Sequence, residues 1–191
     1  MRFVLVAVGI GAAVGLSRTG RPRHGVDRPV RLWPVLLSGL VLQLAAGRID
    51  DGTAVTLLLL SYLLLVAFAL ANLAVVGMWL VALGVTLNFA VIALNDGMPV
   101  RPAALVEAGV TGPEEVATFQ PAGQRHIEGI GDRLTVLADV VPVRPLREVL
   151  SFGDLILAVG VADVLATLLR RRGAGAAEPA PRLWYPAPAE P

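Results

Sequence analysis

Apolar residues in this chain come in long unbroken runs rather than at the spacings of amphipathic elements. Residues 3–16, 32–46, 53–71, 73–94 and 149–169 are each almost wholly apolar. A helix needs roughly 17–25 such residues to cross the hydrocarbon of a bilayer. The last three runs meet that length, 32–46 comes near it, and 3–16 is short. The pattern predicts an all-α membrane protein, a five-span helical bundle. Residues 1–95 hold the first four spans, 96–148 form one large loop domain, 149–172 hold the fifth span, and 173–191 are a disordered tail rich in Ala and Pro.

Charge sets the expected orientation. The loop after the first run carries Arg18, Arg21, Arg23, Arg28 and Arg31 against Asp27 alone, and short basic loops stay in the cytoplasm. Alternation then puts the N-terminus outside, residues 96–148 outside and the C-terminus in the cytoplasm. Arg170, Arg171 and Arg172 at the end of the last run agree with this. A signal peptide is the alternative for residues 3–16, but no small-x-small cleavage site follows them, so the run reads as a retained, short span. The third and fourth spans form a tight hairpin near Ala71 and Asn72. On the fourth, Gly77, Val81, Gly84, Asn88, Val91 and Asn95 make one seam of small and polar residues, as expected where membrane helices touch.

Within the loop domain, Arg101-Pro102 opens a short helix ending at Gly109. Thr111 to Glu114 has capping-box spacing for another. Residues 133–137, RLTVL, fit either a short strand or an interfacial helix.

Composition narrows the chemistry. The chain is 55% hydrophobic with a mean hydropathy of +0.71, above the range of ordinary soluble domains. It contains no cysteine, which rules out disulfides, thiolate metal sites and cysteine nucleophiles. With only His24 and His126 available, no metal site and no cofactor is expected. All sixteen basic residues are arginine and the net charge is +1, which gives no signal for nucleic acid.

Placing polar residues by depth singles out one level. At about 1.5 Å rise per residue, Gln43, Asn88, Asn95 and Asp154 all fall in the outer third of their spans. Lipid cannot satisfy such groups, so they are expected to face the bundle interior under the loop domain. Plainer roles compete. Ser151-x-x-Asp154 has capping-box spacing, which alone explains an acid in the first turn. Asn88 and Gln43 can bond across helices for about 0.6–2 kcal/mol each. Asp163, deeper in the last span, is a separate and weaker candidate. His126, Asp132 and Arg133 read as ordinary exposed loop residues. Asp139, flanked by valines, is the one expected to be partly buried.

Two family resemblances attach to particular residues. LNDGMPV at 94–100, the Arg125-His126 pair, RLTVLADVVPV and SFGDLILAVG resemble an uncharacterised bacterial family of small integral membrane proteins, a domain of unknown function. The likeness covers Leu73 to Val161 and implies the bacterial cytoplasmic membrane, but no activity. Gly131-Asp132-Arg133-Leu134, Ala138-Asp139-Val140-Val141 and Phe152-Gly153-Asp154 resemble, much more weakly, lipoprotein signal peptidase. That resemblance implies a catalytic pair, Asp139 and Asp154, sharing a proton and activating water. The peptidase's asparagines in Gly-Asn-x-x-Asp-Arg and Phe-Asn-x-Ala-Asp are missing here, and its Asn-x-Gly motif falls after a different span.

Three functional readings follow. The first is a non-catalytic scaffold of the cell envelope that docks other membrane proteins. The second is a binder or carrier of a lipid or other amphiphile. In it Arg101, Arg144 and Arg147 meet an anionic head group, with Gln43, Asn88 and Asn95 below. The third is an intramembrane aspartyl hydrolase using Asp139 and Asp154. The expected surroundings are the bilayer and other membrane proteins.

Overall fold

The computed structural model describes residues 9, 13, 30–49 and 52–175, with side chains of the last helix as far as 169. Apart from Gly9 and Ala13, the run at 3–16 lies outside the described residues, as do the basic loop before residue 30, the side chains of Arg170 to Arg172 and the tail beyond 175.

The fold is mostly helical. Among the described residues there are five α-helices: α1 (Trp33–Ala46), α2 (Thr53–Ala71), α3 (Met78–Asn95), α4 (Pro102–Glu107) and α5 (Phe152–Gly175). Three of them, α2, α3 and α5, are long and apolar enough to cross a membrane. Helix α1 has 14 residues and spans about 21 Å, less than a hydrocarbon core of about 30 Å. Pro34 sits in its first turn, where a missing N–H is harmless. Large apolar side chains on these helices stay uncovered, among them Leu37, Val41, Leu63, Leu70 and Trp79, each at least 49% exposed. A water-soluble bundle would bury them; a bilayer would cover them.

The long helices pack as a row, α1 on α2, α2 on α3 and α3 on α5. Residues 72–77 form the turn between α2 and α3, and Asn72 holds it. Its amide donates to the Phe68 and Arg31 carbonyls (both 2.8 Å), and its Oδ1 accepts the Arg31 N–H at 2.7 Å. The α3–α5 contact is closer than side chains would permit. A Cβ on Gly84 would lie 2.6 Å from the Gly153 carbonyl oxygen and 2.7 Å from the Leu157 nitrogen. Gly77, at φ +88, opens α3 against Gly160 and the Cβ of Asp163. The seam Gly77, Val81, Gly84 and Asn88 therefore meets α5, backbone nearly against backbone. Asp163 lies beside the N-terminus of α3, where the helix dipole favours an acid.

Between α3 and α5 the chain forms a small mixed unit. Asp96, in the left-handed region at φ 53, and Gly97 reverse the chain out of α3. Strand β1 (Met98–Val100) then pairs in parallel with β2 (Arg125–Ile127), and a bridge adds Asp139 beside Val100. Strands β3 (Val141–Val143) and β4 (Glu148–Leu150) form an antiparallel pair. Val100, Ala104, Leu105, Ala108 and Val149 make a core, with Val116, Phe119 and Ile127 against it. Helix α4 matches the expected opening at Arg101-Pro102. Thr111 to Glu114 starts no helix, contrary to its capping-box spacing: residues 112–119 make only i→i+3 turn bonds. Gly112 and Pro121 bound too short a segment to repay helix nucleation. The 133–137 segment is neither a strand nor an α-helix but ends in a single 3-10 turn, Thr135–Leu137. The last helix begins at Phe152, three residues inside the apolar run. Val149 and Leu150 instead pair with Pro142 and Val141.

Candidate functional site: a polar cavity between the helices and the mixed unit

The start of α5 is a capping box. The Asp154 N–H donates to the Ser151 hydroxyl oxygen at 2.9 Å, and the Ser151 N–H donates to Asp154 Oδ2 at 3.3 Å. The plain reading of Ser151-x-x-Asp154 is therefore present in the structure. The box is also tied across to α3. Asn88 Nδ2 donates to Asp154 Oδ1 at 2.7 Å, and the Ser151 hydroxyl donates to Asn88 Oδ1 at 2.8 Å. Asn88 is fully buried, and α2 adds Tyr62, whose hydroxyl meets the Asn88 side chain. Three helices thus converge on one polar cluster.

This cluster forms the floor of a cavity of about 210 Å³. Asn88, Asp154 and Tyr62 share the lining with apolar Leu58, Ile92 and Met98. Ala122, Gly123, Gln124 and Arg125, from the mixed unit between α3 and α5, complete it. Gln124 fixes that rim to the end of α1, donating to the Ile49 carbonyl at 3.2 Å and to the Ala46 carbonyl at 3.5 Å.

Asp139 stands behind Arg125. Its side chain is 1% exposed, and Arg125 Nε lies 3.1 Å from its Oδ2. The contact is Coulombic, since neither carboxylate oxygen accepts a hydrogen bond. Burial pushes the Asp139 carboxyl up to about 7, against the pull of Arg125 and helped by the charge of Asp154. Burial prevails because Arg125 is itself 45% exposed, so water screens its charge.

The other residues singled out in the sequence lie elsewhere. Asn95 ends α3 by accepting the Arg133 N–H at 2.6 Å and donating to the Arg133 carbonyl at 2.9 Å. Gln43, half-buried on α1, is not among the residues that line the cavity. Arg101 pairs with Glu128 at 3.2 Å. Arg144 and Arg147 donate to the Glu107 and Gly109 carbonyls, at 2.8 and 2.9 Å, around the end of α4. The structure brings Asn88 and Asp154 together, sets Asp139 close behind, and leaves Gln43, Asn95, Arg101, Arg144 and Arg147 outside the cavity. His126 and Asp132, read as ordinary loop residues, face each other at 3.1 Å. Partial burial works against the Asp132 charge, but the Gly129 N–H and His126 hold its carboxyl below the usual range.

Tyr62, Gln124 and Arg125 are the polar cavity residues that depth alone did not identify. Tyr62 had a signal, a hydroxyl inside the most lipid-like run. Arg125 and Gln124 had none beyond their place in GQRH.

No curated protein matches the chain, and no solved structure does; the likeness to lipoprotein signal peptidase gains no support from them. A model described as a family of unknown function, DUF5317, matches residues 29–166. That match takes in most of the chain, including every residue lining the cavity, and the protein belongs to that family.

Proposed function

We propose that this is a multi-pass protein of the bacterial cytoplasmic membrane that binds a lipid or other amphiphile by its head group, without converting it. In this reading the N-terminus is outside and the C-terminus in the cytoplasm. Helices α1, α2, α3 and α5 lie in the bilayer, and residues 96–148 form an extracytoplasmic cap. The observation that carries the proposal is the cavity beneath that cap. Polar groups from three helices meet there with Gln124 and Arg125 of the cap, beside apolar Leu58, Ile92 and Met98. Ligand pockets have this make-up, largely apolar with a few convergent polar groups. At about 210 Å³ the cavity falls below the roughly 300–1,000 Å³ of whole-ligand pockets. It suits a head group whose acyl chain continues between helices or into lipid. Arg125 offers a cation to an anionic group, and Asp154 an acceptor to an ammonium or hydroxyl.

The geometry favours binding over hydrolysis. A shared-proton pair needs both carboxylates on one water. Here both Asp154 oxygens already accept protein hydrogen bonds, and Asp139 is not among the cavity-lining residues. Docking of other membrane proteins, the first reading of the sequence, has no comparable polar cavity behind it among the described residues. The test is mass spectrometry of the amphiphiles that co-purify with the full chain in lipid nanodiscs excised directly from its membrane. One class enriched over the bulk lipid is expected, and an Arg125→Gln variant should reduce that enrichment. A co-purifying mixture identical to the bulk membrane contradicts the proposal.

A further inference from the structure

Residues 129–137 expose three large apolar side chains in a short stretch. Ile130 is completely exposed, Val136 is 67% exposed and Leu134 46%. Single exposed apolar residues are common on protein surfaces, so their position must decide what they mean.

Hydrogen bonds hold this stretch outward. Asp132 Oδ2 accepts the Gly129 N–H at 2.8 Å, and the Asp132 N–H donates back to the Gly129 carbonyl at 3.2 Å, with Ile130 at the tip. Asn95, the last residue of α3, clasps the Arg133 backbone through both its N–H and its carbonyl. Leu137 packs against the cluster of Val91, Ile92, Met98 and Ala138. Val91 and Ile92 lie about one helical turn inside the end of α3. The stretch therefore hugs the flank of α3 instead of rising away from it. Leu94, next to Asn95 on α3, is itself 49% exposed, so α3 also presents apolar surface at the level where Asn95 holds Arg133.

We propose that residues 129–137 lie in the interfacial layer of the outer leaflet, with Ile130, Leu134 and Val136 among the upper acyl chains. This rests on reading α3 as a membrane span. Arg133, exposed between these apolar residues, stands at phosphate level, where anionic head groups favour a guanidinium. The cap is then seated in the lipid on this side as well as joined to the helices.

The chain has no cysteine, so single introduced thiols report cleanly. Ile130→Cys, Leu63→Cys and Glu114→Cys are each labelled with an environment-sensitive fluorophore in phospholipid nanodiscs containing lipids spin-labelled near the head group or in mid-chain. Leu63 is half-exposed in the middle of α2, and Glu114 is an exposed residue of the cap. The expected result is mid-chain quenching at 63, and head-group-proximal quenching at 130 several-fold stronger than at 114. A label at 130 that behaves like the one at 114, while 63 is quenched, overturns the proposal and leaves the membrane reading standing. An unquenched label at 63 overturns both. A label at 130 shielded in native membranes but water-exposed in pure-lipid nanodiscs overturns it in favour of a protein partner.

Discussion

Asp154 and Asp139 carry the same carboxylate into neighbouring parts of the molecule and meet opposite surroundings. Asp154 is half-buried, and each of its oxygens accepts a hydrogen bond, one from Asn88 and one from the Ser151 N–H. Asp139 is almost wholly buried, accepts no hydrogen bond, and has only the off-line guanidinium of Arg125. The difference follows from the backbone each one rides on. A helix N-terminus presents free N–H groups, so an acid there is satisfied locally. Asp139 sits in a ladder whose N–H groups are already taken: its own donates to the Pro99 carbonyl, and its carbonyl accepts from Arg101. The ladder positions the carboxylate and leaves it unsatisfied. A bonded acid at a helix start is explained by structure alone. An unbonded buried acid beside a cavity calls for a function or a proton.

The largest effect is expected from Asp139→Asn. The carboxyl is raised from 3.8 to about 7. Between those values the unfolded chain is ionised while the folded protein still holds its proton. Raising pH through that window therefore removes stability from the wild type, by several kcal/mol at about 1.4 kcal/mol per pKa unit. The asparagine variant has no such titration. Its stability relative to wild type should rise from pH 4 to about pH 7 and level off above, read from thermal unfolding in micelles across a pH series. A difference that does not change with pH means that Asp139 is satisfied after all.

Asn88→Leu attacks the other side. It removes the donor to Asp154, the acceptor for Ser151 and the partner of the Tyr62 hydroxyl together, leaving three polar groups of the cluster without it. A loss of about 2–3 kcal/mol is expected from such orphaned groups. Denaturant titration of the micellar protein measures it. A loss below half a kcal/mol would mean that Asn88 serves the cavity and not the junction.

Much of this fold is legible in the sequence, and the limits have physical causes. The runs at 53–71 and 73–94 mark α2 and α3 because apolar runs of that length are too long for strands, and the Ser151-x-x-Asp154 cap is a local rule. Depth placed Gln43, Asn88, Asn95 and Asp154 at one level. Depth says nothing of the direction around each helix, and that direction separates Asn88 and Asp154 from Gln43 and Asn95. The three-residue strands carry no periodicity to read, so Val149 and Leu150 looked like the start of a span. The closeness of Arg125 to Asp139 depends on β1 pairing with β2 on one side and bridging to Asp139 on the other. No spacing within the chain announces that.

The small cavity beneath the cap either holds a ligand or stays empty, and a second hollow supplies the control. It is larger, about 430 Å³, more open, and lined by residues of the cap that include Ala103 and Arg144. Native mass spectrometry on the gently extracted full chain would compare wild type with Ala122→Trp, which fills the small cavity from its rim, and Ala103→Trp, which fills the large one. The prediction is a bound amphiphile on wild type and on Ala103→Trp that is lost from Ala122→Trp. An adduct that persists in Ala122→Trp, or none on any of the three, contradicts the account.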